Sequence, residues 1–153
     1  MTGYRESKDK VMDIKISTKG RYALRLMLDL ALHSSGSAVS LRDAAARQEI
    51  SDKYLEQIVT QLSRGGLVKS VRGAGGGYLL TRKPEEYTVG EILRQLEGEL
   101  SPVSCLAGGC RCSRADQCVT IEVWQEIQAA VDGVVDRITL RDLVDRYHAK
   151  NPE

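Results

Sequence analysis

Apolar residues recur at helical spacing from Thr18 to His33 as Ala23, Met27, Leu30 and Ala31, with Leu24 and Leu28 widening the stripe. This pattern predicts an amphipathic helix, ended by Ser34-Ser35-Gly36. A short helix, LRDAAARQE, follows Ser40, whose hydroxyl can satisfy an orphan backbone N–H. Asp43 lies three residues on, where the helix dipole favours negative charge. Ser51 caps a third helix running to about Arg64, where Gly65-Gly66 stops it. Two capped helices across a tight joint have the sequence form of a helix-turn-helix.

Two short strand-like runs come next, Leu67 to Arg72 and Tyr78 to Thr81, separated by Gly73-Ala74-Gly75-Gly76-Gly77. They predict a hairpin in the position of a wing. Thr88 and Glu91 have capping-box spacing for a fourth helix through Leu96, closed by Gly98. The segment from Glu99 to Gln117 reads as irregular. Beyond it Trp124, Ile127, Val131, Val134 and Ile138 alternate spacings of three and four over Val119 to Ile138. That narrow seam of heptad type calls for a partner helix. Thr139 caps a last helix, LRDLVDRY.

The expected fold is mainly α: a winged helix-turn-helix with a two-stranded wing and a long C-terminal dimerisation helix. The expected organisation is a disordered extension over 1–11, a DNA-binding domain over 12–98, a cysteine-rich loop over 99–118, the dimerisation and last helices over 119–147, and a tail over 148–153.

Charge narrows function little. The chain has 153 residues, and 22 Lys and Arg nearly cancel 21 Asp and Glu, leaving a net charge of +1. Any DNA-binding face must therefore come from how charge is distributed. No apolar run approaches a membrane span and the first eleven residues lack a signal-peptide core, so a cytoplasmic chain is expected.

On the third helix Lys53, Glu56, Gln57, Thr60, Gln61 and Arg64 make a polar face, while Tyr54, Leu55, Ile58, Val59 and Leu62 anchor it. Those polar types can reach base edges or phosphates in a major groove. Alone, such a face is equally that of an ordinary solvated helix. The adjoining hairpin changes the balance, because Arg72 beside a glycine loop can bring a guanidinium and bare N–H groups to phosphates or a narrow minor groove. The candidate interface is thus Lys53, Tyr54, Glu56, Gln57, Thr60, Gln61, Arg64, Arg72, Gly73 and Gly75. Neither a P-loop lysine nor a Rossmann unit accompanies the glycines, which argues against a nucleotide site.

All four cysteines, Cys105, Cys110, Cys112 and Cys118, fall within SCLAGGCRCSRADQC. In a reducing compartment such clustering favours a metal site over disulfides, and thiolates bind iron–sulfur clusters and zinc alike. A thiol oxidoreductase is disfavoured, because there is no Cys-x-x-Cys motif on a strand-helix unit and no histidine close to the cysteines. A zinc-stapled interaction module is the remaining alternative.

The segments IKISTKGRYAL, SDKYLEQIVTQL, GLVKSVRGAGGGYLL and ITLRDLV resemble the winged-helix family of the iron–sulfur cluster regulator IscR and the cysteine-metabolism repressor CymR. The similarity runs from Met12 to about Tyr147. It implies a homodimer that recognises pseudo-palindromic double-stranded DNA operators. Glu56 and Gln57 match the family's base-reading pair and Arg72 its minor-groove wing arginine, while Lys53 replaces a serine of the cluster regulator. Cluster-bearing members carry three cysteines with gaps of five residues in this loop.

Here Cys112 and Cys118 keep the second gap, but six residues separate Cys105 from Cys112 and Cys110 lies between. Ile121 stands where the cluster regulator has a histidine ligand. Cys110 then supplies a fourth ligand, with Cys110 or Cys112 as the alternative free thiol. Four thiolates suit both 2Fe-2S and 4Fe-4S cores, and the resemblance favours 2Fe-2S. The Ser101-Pro102-Val103 run is similar to the corresponding CymR segment, and the CymR resemblance allows a sulfur-metabolism enzyme as a protein partner.

Overall fold

The computed structural model of the chain describes residues 16–106 and 113–153. Among these it has six α-helices and one two-stranded sheet, in the order α1 (Thr18–His33), α2 (Leu41–Gln48), α3 (Asp52–Arg64), β1 (Val68–Val71), β2 (Gly77–Leu80), α4 (Val89–Glu97), α5 (Val119–Val135) and α6 (Leu140–Lys150). Short 3-10 turns cover Pro84–Glu86 and Ser104–Leu106. The extension over 1–11, Cys110 and Cys112 lie outside the described residues.

Side-chain caps set most helix starts. Ser17, Ser40, Ser51, Thr88 and Thr139 each accept a backbone N–H three residues on. The buried core joins Leu26, Met27 and Leu30 of α1 to Leu55, Ile58, Val59 and Leu62 of α3, with Ile92, Tyr87 and Leu140 closing it. Leu26, which the periodic reading of α1 omits, is fully buried, because the buried face of this central helix is wider than one stripe.

The wing pairs Val68 with Leu80 and Val71 with Gly77 in antiparallel register. Its base is fixed by a bridge to the residue before α2: Val39 N–H donates to Tyr78 O at 2.9 Å and Tyr78 N–H to Val39 O at 2.8 Å. A Cβ at Gly77 would collide with the Val39 carbonyl, so glycine permits this approach.

Three expectations need correction. The capping box at α4 is half formed, because Glu91 pairs with Arg82 instead of returning to the Thr88 N–H. The complete box is at α6, where Thr139 and Asp142 cap reciprocally, and that helix runs to Lys150, three residues into the expected tail. Helix α5 ends at Val135, short of Ile138, whose carbonyl accepts the Val89 N–H at 2.9 Å. That bond draws residues 138–139 out of the helix and against Thr88.

Candidate nucleic-acid interface and cysteine loop

A buried carboxylate sets the angle of the helix-turn-helix. Asp29 of α1 has a side chain with no solvent exposure. It accepts two guanidinium hydrogen bonds from Arg47, at 3.0 and 2.8 Å, and one from Gln48 Nε2 at 3.1 Å. This bidentate pair holds α2 on α1 and raises the Arg47 pKa, chiefly through the hydrogen bonds to Asp29. Arg25 adds a second tie, donating to the Gln48 carbonyl at 2.6 Å and to Gln48 Oε1 at 3.0 Å. Between α2 and α3, Glu49 adopts a left-handed conformation (φ 55°), and that residue makes the turn of the motif.

Helix α3 then buries Leu55, Ile58, Val59 and Leu62 and leaves Lys53, Glu56, Gln57, Thr60 and Arg64 exposed on its other side. Thr60 spends its hydroxyl proton on the Glu56 carbonyl at 2.7 Å, keeping an acceptor face outward. Tyr54 is half-buried, edge-on to Tyr22 with ring centroids 5.7 Å apart. Gln61 is also half-buried, with its amide oxygen inside the protein and no hydrogen-bond partner among the described residues. Of the polar set it is the one turned inward.

The wing presents Lys69, Ser70, Val71, Arg72, Gly73 and Gly75 as exposed residues next to the end of α3. Among the described residues Lys53, Arg64, Lys69 and Arg72 enter no ion pair, whereas Arg47, Arg82 and Arg94 are each held by carboxylates. The unspent cations on α3 and the wing are therefore free to meet phosphates.

Three contributors to this arrangement are absent from the sequence reading: Asp29 with Arg47, Tyr87, and Arg94. Asp29 had a signal, being an acidic residue on an otherwise apolar helix face between Met27 and Leu30.

Of the four cysteines, Cys105 lies exposed in the turn Ser104–Leu106 and Cys118 is the half-buried N-cap residue of α5. Cys118 Sγ sits 3.2 Å from Thr120 Oγ1. The Thr120 hydroxyl first, then the Ile121 backbone N–H, hold this thiol below its ordinary pKa, with a smaller pull from Arg114. A thiol so placed favours the thiolate that metals and clusters require. Ile121 cannot ligate through its side chain.

Among the described residues no three His, Cys, Asp or Glu side chains assemble as a metal group. His33 turns Nδ1 to the Asp29 carbonyl at 2.9 Å, and His148 packs edge-on against Tyr147. Thiolate sulfur is the donor chemistry that an iron–sulfur cluster takes, and Cys105 and Cys118 are the two of the four cysteines among the described residues.

A family model described as Rrf2, iron-dependent transcriptional regulator, matches residues 16–146. The chain belongs to the Rrf2 family. The HTH-type transcriptional regulator IscR of Serratia proteamaculans is 40% identical over 132 residues, covering 86% of this chain and 80% of that protein. Among solved structures, CymR, the global cysteine regulator of B. subtilis, is similar with a TM-score of 0.73. It is 44% identical and the match covers 86% of this chain and 97% of that one. IscR of T. potens has a TM-score of 0.76 at 40% identity, covering 91% and 92%. As an Rrf2 member the chain is a DNA-binding transcription regulator, and these relatives are named as regulators, not enzymes. No helix among the described residues is long and apolar enough to cross a membrane.

Proposed function

We propose that this Rrf2 protein is a homodimeric operator-binding regulator that senses iron–sulfur or redox status through a cluster held by Cys105, Cys110, Cys112 and Cys118, with 2Fe-2S favoured over 4Fe-4S. Glu56 and Gln57 read bases in the major groove. Lys53, Thr60 and Arg64 position α3 on the backbone. Arg72 with Gly73 and Gly75 enters the minor groove beside it.

The observation that carries the sensing role is the place of Cys118. It is a thiolate-prone N-cap that leads directly into α5, an apolar helix in which no residue is buried. Val119, Val123 and Val134 are 75%, 51% and 48% exposed on it. A helix so apolar and so uncovered calls for a second copy. Half-sites one turn of DNA apart, about 34 Å, make operator affinity sensitive to how two recognition helices are set. A bound cluster would supply a redox-sensitive tie among four thiolates; the chain would supply the thiols and the helix that begins at the last of them.

The test is visible absorption of anaerobically purified protein, followed by operator binding before and after cluster loss. Brown protein whose colour falls in Cys112→Ala and Cys118→Ala supports the reading. Colourless protein with stoichiometric zinc, or with redox-active thiols, supports instead a regulator of sulfur metabolism. That second reading is favoured by the 44% identity to CymR and by Ile121 at the histidine position.

A further inference from the structure

Helix α4 lies between the cysteine loop and the DNA-binding elements, and three of its side chains reach three different partners. Arg94 donates to Asp132 of α5 at 2.8 Å and pairs bidentately with Asp136. Gln95 Nε2 donates to the Gln61 carbonyl in the last turn of α3 at 2.9 Å. The Glu97 carboxylate accepts the N–H groups of Ser17 and Gly20, at 3.1 and 3.2 Å, at the start of α1. Each contact has a glycine opposite it: a Cβ on Gly90, Gly65 or Gly20 would occupy the space of Arg94 and Asp136, of Gln95, and of Glu97 respectively.

The contacts continue into the loop. Gln128 Nε2 donates both to the Leu100 carbonyl, at 2.7 Å, and to Asp132 Oδ1, at 3.0 Å. Hydrogen bonds therefore run from Leu100 at the loop entry through Gln128 and Asp132 to Arg94 on α4, and the next residue of that helix, Gln95, carries the connection on to the Gln61 carbonyl of the recognition helix.

The chain also has room to rearrange. An open cavity lined by Arg94, Glu99, Leu100, Leu106, Gln128 and Asp132 flanks it. Gln128 Oε1 is buried without a hydrogen-bond partner among the described residues. A buried unmet acceptor raises the energy of the present arrangement and favours a second one in which the amide turns.

We propose that Arg94, Gln95 and Gln128 are positioning residues that transmit the state of the cysteine loop to the recognition helix. They touch no DNA; they act by coupling Leu100 and α5 to the last turn of α3. The proposal rests on the reading that the loop is the sensing element, but not on which metal it holds.

The test uses full-length, metal-free protein and iodoacetamide, which alkylates accessible loop thiols and so perturbs the loop without any cluster. The DNA probes are a duplex selected from a random-sequence library by the wild-type chain and a scrambled duplex. In wild type, alkylation should change the ratio of selected to scrambled affinity about fivefold or more, within the usual range of coupling between sites. In Gln128→Leu and Gln95→Leu the change should fall below about twofold, while scrambled-duplex affinity and dimer mass stay unchanged.

If either variant loses its cooperative melt, the isosteric Gln128→Glu and Gln95→Glu replace it. Arg94→Glu should also lose transmission, and Asp136→Arg in the same chain, which re-forms the α4–α5 ion pair, should restore part of it while scrambled-duplex affinity stays unchanged throughout. Full transmission in the variants, or no alkylation effect in wild type, would overturn the proposal. Colourless wild-type protein that still transmits through this chain would overturn the cluster reading and leave the relay standing.

Discussion

The Tyr87 hydroxyl donates to the Leu67 carbonyl at 2.7 Å and accepts the backbone N–H groups of Thr81 and Arg82 at 2.9 and 3.0 Å, closing the base of the wing from inside the core. Tyr87 has no solvent exposure, and the Arg82 guanidinium covers its ring at 4.3 Å from the centroid. Tyr87→Phe would leave the Arg82 N–H without this acceptor and the Leu67 carbonyl and Thr81 N–H with their longer mutual contact at 3.5 Å, a loss of about 1 to 3 kcal/mol. The expected result is a lower urea midpoint with an unchanged m-value and faster amide exchange at Thr81 and Arg82. An unchanged midpoint would mean that the hydroxyl is dispensable to the wing.

Glu49 provides a test of the turn itself. Its left-handed backbone carries a penalty of about 1 to 2 kcal/mol for an L side chain, partly offset in glycine by the greater entropy that residue loses on folding. Glu49→Gly should therefore be neutral or stabilising by up to about 1 kcal/mol, and Glu49→Val destabilising. Thermal melts of the two variants rank them; a destabilised glycine variant would show that the Glu49 side chain holds the turn.

These two residues illustrate what a sequence can disclose. Ser40, Ser51 and Thr139 act on N–H groups three residues away, so the helix starts follow from local chemistry and the pattern places them. The polar and apolar sides of α3 follow equally from its period, and residues 53, 56, 57 and 60 emerge exposed as expected. Distant partners are another matter. Glu91 satisfies the local capping pattern yet belongs to Arg82, and Ile138 satisfies the heptad pattern yet gives its carbonyl to Val89. Gln61 shares the spacing of the reading face, but its amide oxygen is buried and its carbonyl accepts from Gln95 of α4, 34 residues on. The cysteines were legible as a cluster, and the thiolate bias at Cys118 comes from Thr120 and the start of α5, which only the folded backbone reveals.

Protonation should act on the α4–α5 contact at the acid end of the pH range. Hydrogen bonding to Arg94 holds the Asp136 carboxyl below its ordinary pKa of 3.8, with the Arg94 charge adding to it against a desolvation penalty. A carboxyl depressed by folding contributes stability that is fully present above its unfolded pKa and is lost as pH falls through the lower folded value. Because Asp136 is 48% exposed, the contribution is on the order of 0.2 to 1 kcal/mol. Asp136→Asn should therefore be less stable than wild type at pH 7 and converge with it as pH falls below the ordinary carboxyl value, as read from denaturant melts across that range. A difference that persists at the acid end would assign the effect to packing.

The apolar surface of α5 makes a prediction about assembly. Trp124 and Ile127 are half-buried on a helix with no buried residue, and burying two such side chains contributes about 3 to 6 kcal/mol to association. Trp124→Ala combined with Ile127→Ala should convert the dimer to a monomer that remains folded, as the core of α1, α3 and α4 contains neither residue. Sedimentation together with a thermal melt distinguishes the outcomes. A monomer that melts normally supports the α5 interface, an unchanged dimer mass refutes it, and a chain that no longer melts cooperatively would place these side chains in the protomer's own core.

The two exposed elements proposed to meet DNA should fail in different ways when cut back, because base contacts specify while phosphate contacts add affinity that depends on salt. Gln57 and Glu56 are exposed on α3 opposite its buried face, where an amide and a carboxylate can pair with base edges. Gln57→Ala should therefore cost about 1 to 3 kcal/mol on a preferred operator and little on scrambled DNA. Arg72 stands exposed beside the turn of the wing, which Tyr87 and the Val39–Tyr78 bridge hold in place. A guanidinium there gains from the negative potential of a narrow minor groove or from a phosphate, and neither depends on one particular base pair. Arg72→Ala should weaken binding to all duplexes and flatten the dependence of affinity on salt, with any preference confined to A/T-rich sequence under the wing. Titrations of both variants with specific and scrambled duplexes at several salt concentrations decide between the roles. Equal losses on both duplexes for Gln57→Ala would reduce α3 to a backbone anchor, and wild-type binding by Arg72→Ala would remove the wing from the interface.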